Sequence, residues 1–251
     1  MLKGERGNKV ILAILSDVHG NMNALEAVLH DISMKRQVDA FILLGDLIDY
    51  GPHSNEVIAR IKAIDRPILC NIYGNHEDAI IKQNYERFSS DRGRKSAGYT
   101  RQILKRESFN YIQNQMSEDA CLEFTVADRK CLAVHGSLDD RYWGRIQPGD
   151  ELNDYYIYDY VFSGHSHEPH FFEKYYKVEN LRTRNRKKTI FINPGSVGQP
   201  RNINNHAQYA IIDTDTESLN MIKIPYNIEE EMMSFSERQD LFYRDRLRIG
   251  V

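Results

Sequence analysis

Five short segments of this 251-residue chain end in side chains that bind metal ions. They read Ser16-Asp17-Val18-His19-Gly20, Gly45-Asp46, Gly74-Asn75-His76-Glu77, His135-Gly136 and Gly164-His165-Ser166-His167. Alternate residues of an extended segment point the same way, so Asp17 with His19, and His165 with His167, can each reach one ion. Asp46 follows a glycine that lets the backbone come close, and a carboxylate can bridge two cations. Asn75 offers a neutral carbonyl oxygen and His135 one more nitrogen. Single instances of His or Gly-Asp carry little information, and His30, His53, His170 and His206 are read as ordinary core or surface residues. Five such segments in order are different in kind.

Counting charge indicates what such a site is for. Two divalent ions bring four positive charges, Asp17 and Asp46 remove two, and a bridging hydroxide removes one. About one positive charge then remains for an anionic phosphoryl group. Mixed nitrogen and oxygen donors without sulfur suit Mn, Fe, Co, Ni or Zn better than Ca, and argue against Mg acting alone. His76 is not obviously free to bind the same ion as its neighbour Asn75. A cationic imidazole there can donate a proton to a departing oxygen, and Asp49 is the best-placed carboxylate to hold its tautomer.

The elements that must position these residues are legible around them. Val10–Leu15, Ala40–Leu44 and Pro67–Tyr73 are apolar runs typical of buried strands. Between them, Asn23–Arg36 carries apolar residues at helical spacing with Asn23 as N-cap, and Ser54 caps a second helix with Val57, Ile58 and Ile61. The order β-α-β-α-β implies parallel strands, whose ends gather residues at one sheet edge. From Glu77 to Glu118 the chain reads as a helical insertion, broken near 89–94. Strands are then expected at Cys121–Ala127, Lys130–Val134, Tyr160–Ser163, Phe171–Val178, Thr189–Ile192, Gln208–Asp213 and Leu219–Ile224. Their short connections argue for hairpins and a largely antiparallel second sheet. A helix over 234–248 would show Leu241, Phe242 and Leu247 on its apolar face. No linker or repeat divides residues 1–251, so one domain is the simplest reading.

Composition excludes less. Apolar residues make up 41% and charged residues 27%, ordinary values for a globular protein, and a net charge of −3 gives no general attraction to nucleic acid or anionic membrane. Cys70, Cys121 and Cys131 are an odd number without a CxxC pair, which fits reduced core residues in a cytoplasmic protein. No run approaches the length of a membrane span.

With these motifs, from about Val10 to Asp213, the chain resembles the metallophosphoesterase superfamily, the calcineurin-like phosphoesterases. The segment Asn193-Pro194-Gly195-Ser196-Val197-Gly198-Gln199-Pro200-Arg201 resembles its compact bacterial phosphodiesterase branch. The resemblance implies an α/β fold, a four-layer α/β/β/α sandwich of two mixed sheets flanked by helices. It also implies one ion on Asp17, His19 and His167, a second on Asn75, His135 and His165, and Asp46 between them. His76 would be the general acid with Asp49 behind it. Two divalent cations are implied, Mn first, with Fe, Zn, Co or Ni as alternatives. One departure narrows the reading. Serine/threonine protein phosphatases of the superfamily carry an Arg directly after the second Asp of GDxxDR, and here Tyr50 follows Asp49. His135 is also followed by Gly136-Ser137 rather than a second Gly.

The remaining features qualify this picture. Arg201 suits a phosphate, since its planar fork matches the oxygens. Basic runs at Arg92, Arg94, Lys95 and at Arg182, Arg184, Arg186, Lys187, Lys188 read as solvated surface first and substrate-steering rims second. Trp143 is expected to be buried, with base stacking as its alternative, and Tyr155, Tyr156, Tyr158 and Tyr160 are expected to pack. The expected activity is hydrolysis of small nucleotide-type phosphodiesters through a bridging hydroxide. Monoester or protein-phosphatase activity, nuclease action and a non-catalytic scaffold with this fold are the alternatives. Oligomeric state leaves no trace in the sequence.

Overall fold

The computed structural model of the protein describes residues 9–177 and 187–251. The chain begins with β1 (Ile11–Leu15), α1 (Met22–Lys35), β2 (Ala40–Leu43), α2 (Ser54–Lys62) and β3 (Ile68–Asn71). An inserted helical section follows, α3 (Asn75–Lys82), α4 (Asp91–Ile103) and α5 (Arg106–Gln115). The second half supplies β4 (Cys121–Val126), β5 (Arg129–Val134), β6 (Tyr160–Ser163), β7 (His170–Tyr175), β8 (Lys188–Asn193), β9 (Ala207–Asp213) and β10 (Leu219–Ile224).

These strands form two five-stranded mixed sheets, ordered β10-β9-β1-β2-β3 and β4-β5-β6-β8-β7. In the first, β1, β2 and β3 run parallel, and β9 is antiparallel to both its neighbours, β1 and β10. In the second, β5, β6 and β8 run parallel, with β4 and β7 as antiparallel edges. The expectation of a largely antiparallel second sheet is therefore corrected. The β4–β5 and β7–β8 hairpins exist, but long excursions between β5 and β6 and between β6 and β8 return the chain in the same direction. The third hairpin, β9–β10, joins the first sheet instead.

Strand alternation builds the layers. Leu12, Ile14, Ala40 and Ile42 face Cys131, Ala133, Tyr160, Phe162, Ile190 and Ile192 of the other sheet. Their neighbours Ala13, Leu15, Phe41 and Leu43 point the opposite way, against Leu25, Val28, Leu29, Val57, Ile58 and Ile61 of α1 and α2. On the far side, Leu132, Val134, Val161 and Phe191 pack under Ile146, Leu152, Tyr155 and Tyr158, a stretch that includes a 3-10 turn at Asn153–Tyr155. Strands buried on both faces read as continuous apolar runs for this reason. The result is an α/β fold of two mixed sheets flanked by helices.

Local details differ from the sequence expectations. The cap of α1 is Asn21, whose side chain accepts from Ala24 N–H at 3.0 Å, and Asn23 instead donates to Glu231. Ser54 is the first residue of α2, and its hydroxyl accepts the Asp49 N–H at 3.0 Å rather than capping. The helix expected over 234–248 is replaced by α6 (Ile228–Met233), α7 (Leu241–Asp245) and a 3-10 turn at Arg246–Arg248. The apolar spacing of Leu241, Phe242 and Leu247 misled there: Leu241 and Phe242 are exposed, and Tyr243 and Leu247 are the buried pair. Of the second basic run, Arg182, Arg184 and Arg186 lie outside the described residues, as does Val178 at the end of its expected strand. Lys188 bridges Glu173 and Glu217, and Lys187 donates to Tyr158 O. The first run is also engaged, Arg92 with Asp240 and Arg94 with Asp91.

Candidate metal centre

The parallel strands of both sheets end at a shared edge, and the ligand candidates sit just past those ends. Asp17 and His19 follow β1, Asp46 follows β2, and Asn75 opens α3 after β3. From the second sheet, His135 follows β5, and His165 and His167 follow β6. They form two clusters, Asp17 with His19, Asp46 and His167, and Asp46 with His135 and His165. Within each cluster the candidate ligand atoms all lie within 4.8 Å of one another. Asn75 Oδ1 joins the second, 3.0 Å from His135 Nε2 and 2.9 Å from His165 Nδ1. Asp46 belongs to both, and this division is the one the resemblance implied.

Backbone conformation delivers them. Asp17, His19, Asp46, His165 and His167 all have φ between 48° and 61°, the left-handed region that costs a non-glycine residue about 1–2 kcal/mol. Inter-loop hydrogen bonds hold the strain: Asp17 N–H donates to Gly45 O, His19 N–H to Asp46 O and Gly198 N–H to Asp17 O. A Cβ on Gly74 would lie 2.0 Å from Asp46 Oδ1, so the closest approach of the two loops admits only glycine.

The donor set suits divalent cations. His19 Nδ1 lies 3.3 Å from Ile48 O, His135 Nδ1 2.6 Å from Leu44 O, and His167 Nδ1 2.6 Å from Gln199 O. A backbone carbonyl only accepts, so each Nδ1 carries the proton and Nε2 is the nitrogen turned inward. Burial lowers His19 and His167, so their Nε2 atoms present lone pairs, whereas against its burial the Asp46 charge raises His135 to about 9. Those lone pairs then face one another or carboxylates. His19 Nε2 and His167 Nε2 are 3.1 Å apart, and Asp17 Oδ1 is buried without a hydrogen-bond donor, 3.1 Å from His167 Nε2. Such crowding of nitrogen and oxygen donors suits bound cations. Burial also pushes His19 well below the usual imidazole value and His165 down to about 3, keeping both unprotonated.

Beside the centre stands His76. Its Nε2 is 4.0 Å from Asp46 Oδ2, and its Nδ1 is 2.7 Å from Asp49 Oδ2. The other Asp49 oxygen accepts from Ser96 and Thr100 hydroxyls of α4, both at 2.7 Å. Burial works against a charged imidazole here, but Asp46 and Asp49 outweigh it and His76 is raised overall. Tyr50 and Phe88 pack on its ring at 4.4 Å and 5.0 Å between centroids.

Sequence reasoning overlooked several residues of this region. Glu77 accepts the backbone N–H groups of Gly74, Asp46, Leu47 and Ile48, at 2.8 Å for three of them and 3.2 Å for Ile48. One buried carboxylate thus ties two ligand loops together. Its one signal is its place in Gly-Asn-His-Glu, which by itself assigns it no role. Ser96 and Thr100 left no signal, because a helical insertion gives no sign of what it covers. Trp143, expected to be buried, is half-buried, in edge-to-face contact with Phe88 and His165, and Arg87 lies over its ring at 5.4 Å. Arg201 is half-buried, and its Nε is buried without a partner. Tyr155, Tyr158 and Tyr160 are buried as expected, whereas Tyr156 is 55% exposed.

Comparison with known proteins bears on the family and the fold. The chain is 28% identical over 227 residues to an uncharacterised protein of Methanocaldococcus jannaschii, covering 88% of this chain and 90% of that one. It superimposes on a metallophosphoesterase of Sphaerobacter thermophilus with a TM-score of 0.77 at 27% identity, covering 97% and 100% of the two chains. A shorter stretch of 69 residues is 34% identical to serine/threonine-protein phosphatase 2 of Escherichia coli, covering 28% of this chain and 30% of that one. The calcineurin-like phosphoesterase superfamily domain matches residues 10–217, and the chain belongs to that superfamily.

Proposed function

We propose that this protein hydrolyses phosphodiesters of nucleotide type at a dinuclear metal centre, with His76 as general acid. The observation that carries this reading is the placement of His76. The residue is seated between Asp49 and the Asp46 shared by both ligand clusters, and it belongs to neither. The first ion would take Asp17, His19 and His167, the second Asn75, His135 and His165, with Asp46 common to both. When bound, two such cations polarise phosphoryl oxygens and supply an activated water; Mn is the leading candidate, with Fe, Zn, Co and Ni able to use the same donors.

The chain's own residues do the rest. Asp49 holds the Nδ1 proton of His76, so Nε2 is the nitrogen that faces the reacting group. With a proton there as well, the imidazolium can deliver it to a departing alkoxide. Cations nearby act against that protonation, and the Asp49 hydrogen bond counters them. Tyr50 and Phe88 keep water off the flanks of the ring. Arg201 would bind substrate phosphate oxygens through its fork.

Diester preference is supported by the residue after Asp49. There Tyr50 is half-buried against His19 and His76, so no guanidinium follows Asp49 to grip a monoester dianion. The stretch shared with a protein phosphatase favours monoester or phosphopeptide hydrolysis as the second reading. A reducing compartment such as the cytoplasm suits Cys70, Cys121 and Cys131, all free. Among the described residues no helix is long and apolar enough to cross a membrane.

The test compares bis-p-nitrophenyl phosphate, p-nitrophenyl phosphate and a phosphopeptide on metal-stripped protein reloaded with Mn²⁺, with Asp46→Asn as control. Diester turnover that disappears in the control supports the proposal, and preferential phosphopeptide turnover selects the second reading. His76→Asn should bind metals normally, yet slow a diester with an alkoxide leaving group by roughly 10²–10⁴-fold. A p-nitrophenolate ester, which leaves without protonation, should lose much less; equal losses would show that His76 is not the acid.

A further inference from the structure

The C-terminal segment brings to this site charge that the ligand loops lack. Tyr243 of α7 stacks on Tyr50 with centroids 4.1 Å apart and planes inclined by 20°. Three residues on, Arg246 Nη1 donates to Gln199 Oε1 at 3.4 Å, and its Nε donates to the Val251 backbone oxygen. The backbone carbonyl of the same Gln199 takes the Nδ1 proton of His167, which fixes Arg246 close to the metal centre. Arg201 lies two residues further along that loop.

Among the described residues, neither Arg201 nor Arg246 has an Asp or Glu within ion-pair distance. Neighbouring arginines of the segment do: Arg244 pairs with Asp245, and Arg248 with Glu229 at 2.5 Å. The path of the segment is also fixed. Ile203 N–H donates to Gly250 O, Asn205 donates to Arg248 O, and a Cβ on Gly250 would lie 2.1 Å from Asn204 O. Arg246 is thus held by Gln199 and the Val251 oxygen rather than by an Asp or Glu side chain, and Arg201 Nε is buried without a partner at the edge of the candidate metal centre. Burial, and after it the Arg201 charge, push Arg246 down to about 10.

We infer that Arg246 and Arg201 form a subsite for a second phosphate group of the substrate, adjacent to the phosphoryl group that is attacked. The inference rests on the phosphoesterase reading above and adds a substrate class to it. Two divalent cations outweigh the charges of Asp17 and Asp46, and two guanidiniums raise the local charge further. A simple diester carries a single negative charge and leaves most of it uncompensated. A nucleotide with a second phosphate beside the cleaved bond matches it, and each guanidinium can present parallel N–H groups to phosphate oxygens.

The experiment is calorimetric titration of the full Mn²⁺-loaded chain with AMP and with ADP. Wild type should bind ADP more tightly than AMP. Arg246→Gln should weaken ADP roughly tenfold or more, the size of one charged hydrogen bond, and reduce the preference accordingly. Arg246→Lys should recover part of it, since an ammonium is a point charge without the fork. Arg248→Gln, a change at an exposed arginine of the same segment, should keep the preference. If wild type shows no preference, or Arg246→Gln keeps it at an unaltered melting temperature, the subsite is refuted. If Arg248→Gln loses it equally, the segment acts through its fold and the inference falls. A protein that prefers ADP yet hydrolyses no ester refutes the activity and leaves the subsite standing; hydrolysis without that preference does the reverse.

Discussion

At the scale of single residues, Glu77 shows how little a role depends on touching the reactants. Its two oxygens accept four backbone N–H groups from the loops carrying Asp46 and Asn75. Burial and the Asp46 charge push its carboxyl up to about 7, against the backbone donors of Gly74 and Asp46 and the His135 charge. Glu77→Gln keeps the size but turns an NH₂ group toward donors. We expect a loss of about 2–4 kcal/mol in denaturant unfolding, the scale of a broken charged network, along with weaker metal binding. Unaltered stability would mean that the loops hold their shape without it. The candidate ligands themselves were legible as a group because metal chemistry restricts side-chain type and spacing. Glu77 was not, since any carboxylate near a glycine reads the same until the loop that it bonds is known.

At the scale of elements, the inserted helix α4 and the short α6 each have a task that their sequences concealed. Through Ser96 and Thr100, α4 holds Asp49 and thereby His76. Combining Ser96→Ala with Thr100→Val should lower turnover of alkoxide diesters roughly tenfold. Without those donors Asp49 grips the imidazolium harder, so the alkaline limb of the pH–rate profile should move to higher pH. A rate loss with an unmoved limb would point to packing alone. The α6 helix is clasped by Glu231, which is fully buried and accepts from Asn23 and from His53 Nδ1 at 3.0 Å. That bond raises His53 above its ordinary value, against the burial that lowers it, and Glu56 adds to the rise. The stabilisation is therefore complete below about pH 6.5 and fades as pH rises through the higher folded value. The melting temperature of wild type should exceed that of His53→Ala most at pH 6 and least at pH 9; a constant gap would contradict the clasp. Helical periodicity located these segments only approximately, because in α6 and α7 the contacts with α1, α4 and Tyr50 outrank intrinsic pattern.

Across the whole molecule, the candidate ligands divide between the sheets. Asp17, His19, Asp46 and Asn75 come from the first, and His135, His165 and His167 from the second. Cations there would fasten the two layers at their open edge, and anything that binds only the folded state stabilises it. Stripping metal with a chelator should lower the melting temperature, and restoring Mn²⁺ at about 100 times its Kd should return roughly 2.7 kcal/mol per site. No change in melting temperature would show that the centre forms without holding the sheets. The parallel first half could be read directly, since apolar runs alternated with helical spacing. Strand partners in the second half could not, because hairpin lengths do not reveal which sheet a hairpin joins. The registry of β1 carries a consequence for how the molecule comes into being. Its residues 11–14 pair with 213–210, so one flank of this early strand stays unmatched until almost the whole chain is available. Folding should accordingly be slow for the protein's size, governed by a closure spanning nearly its full length. Until then, the bare edge of β1 is the place most exposed to pairing with the wrong partner.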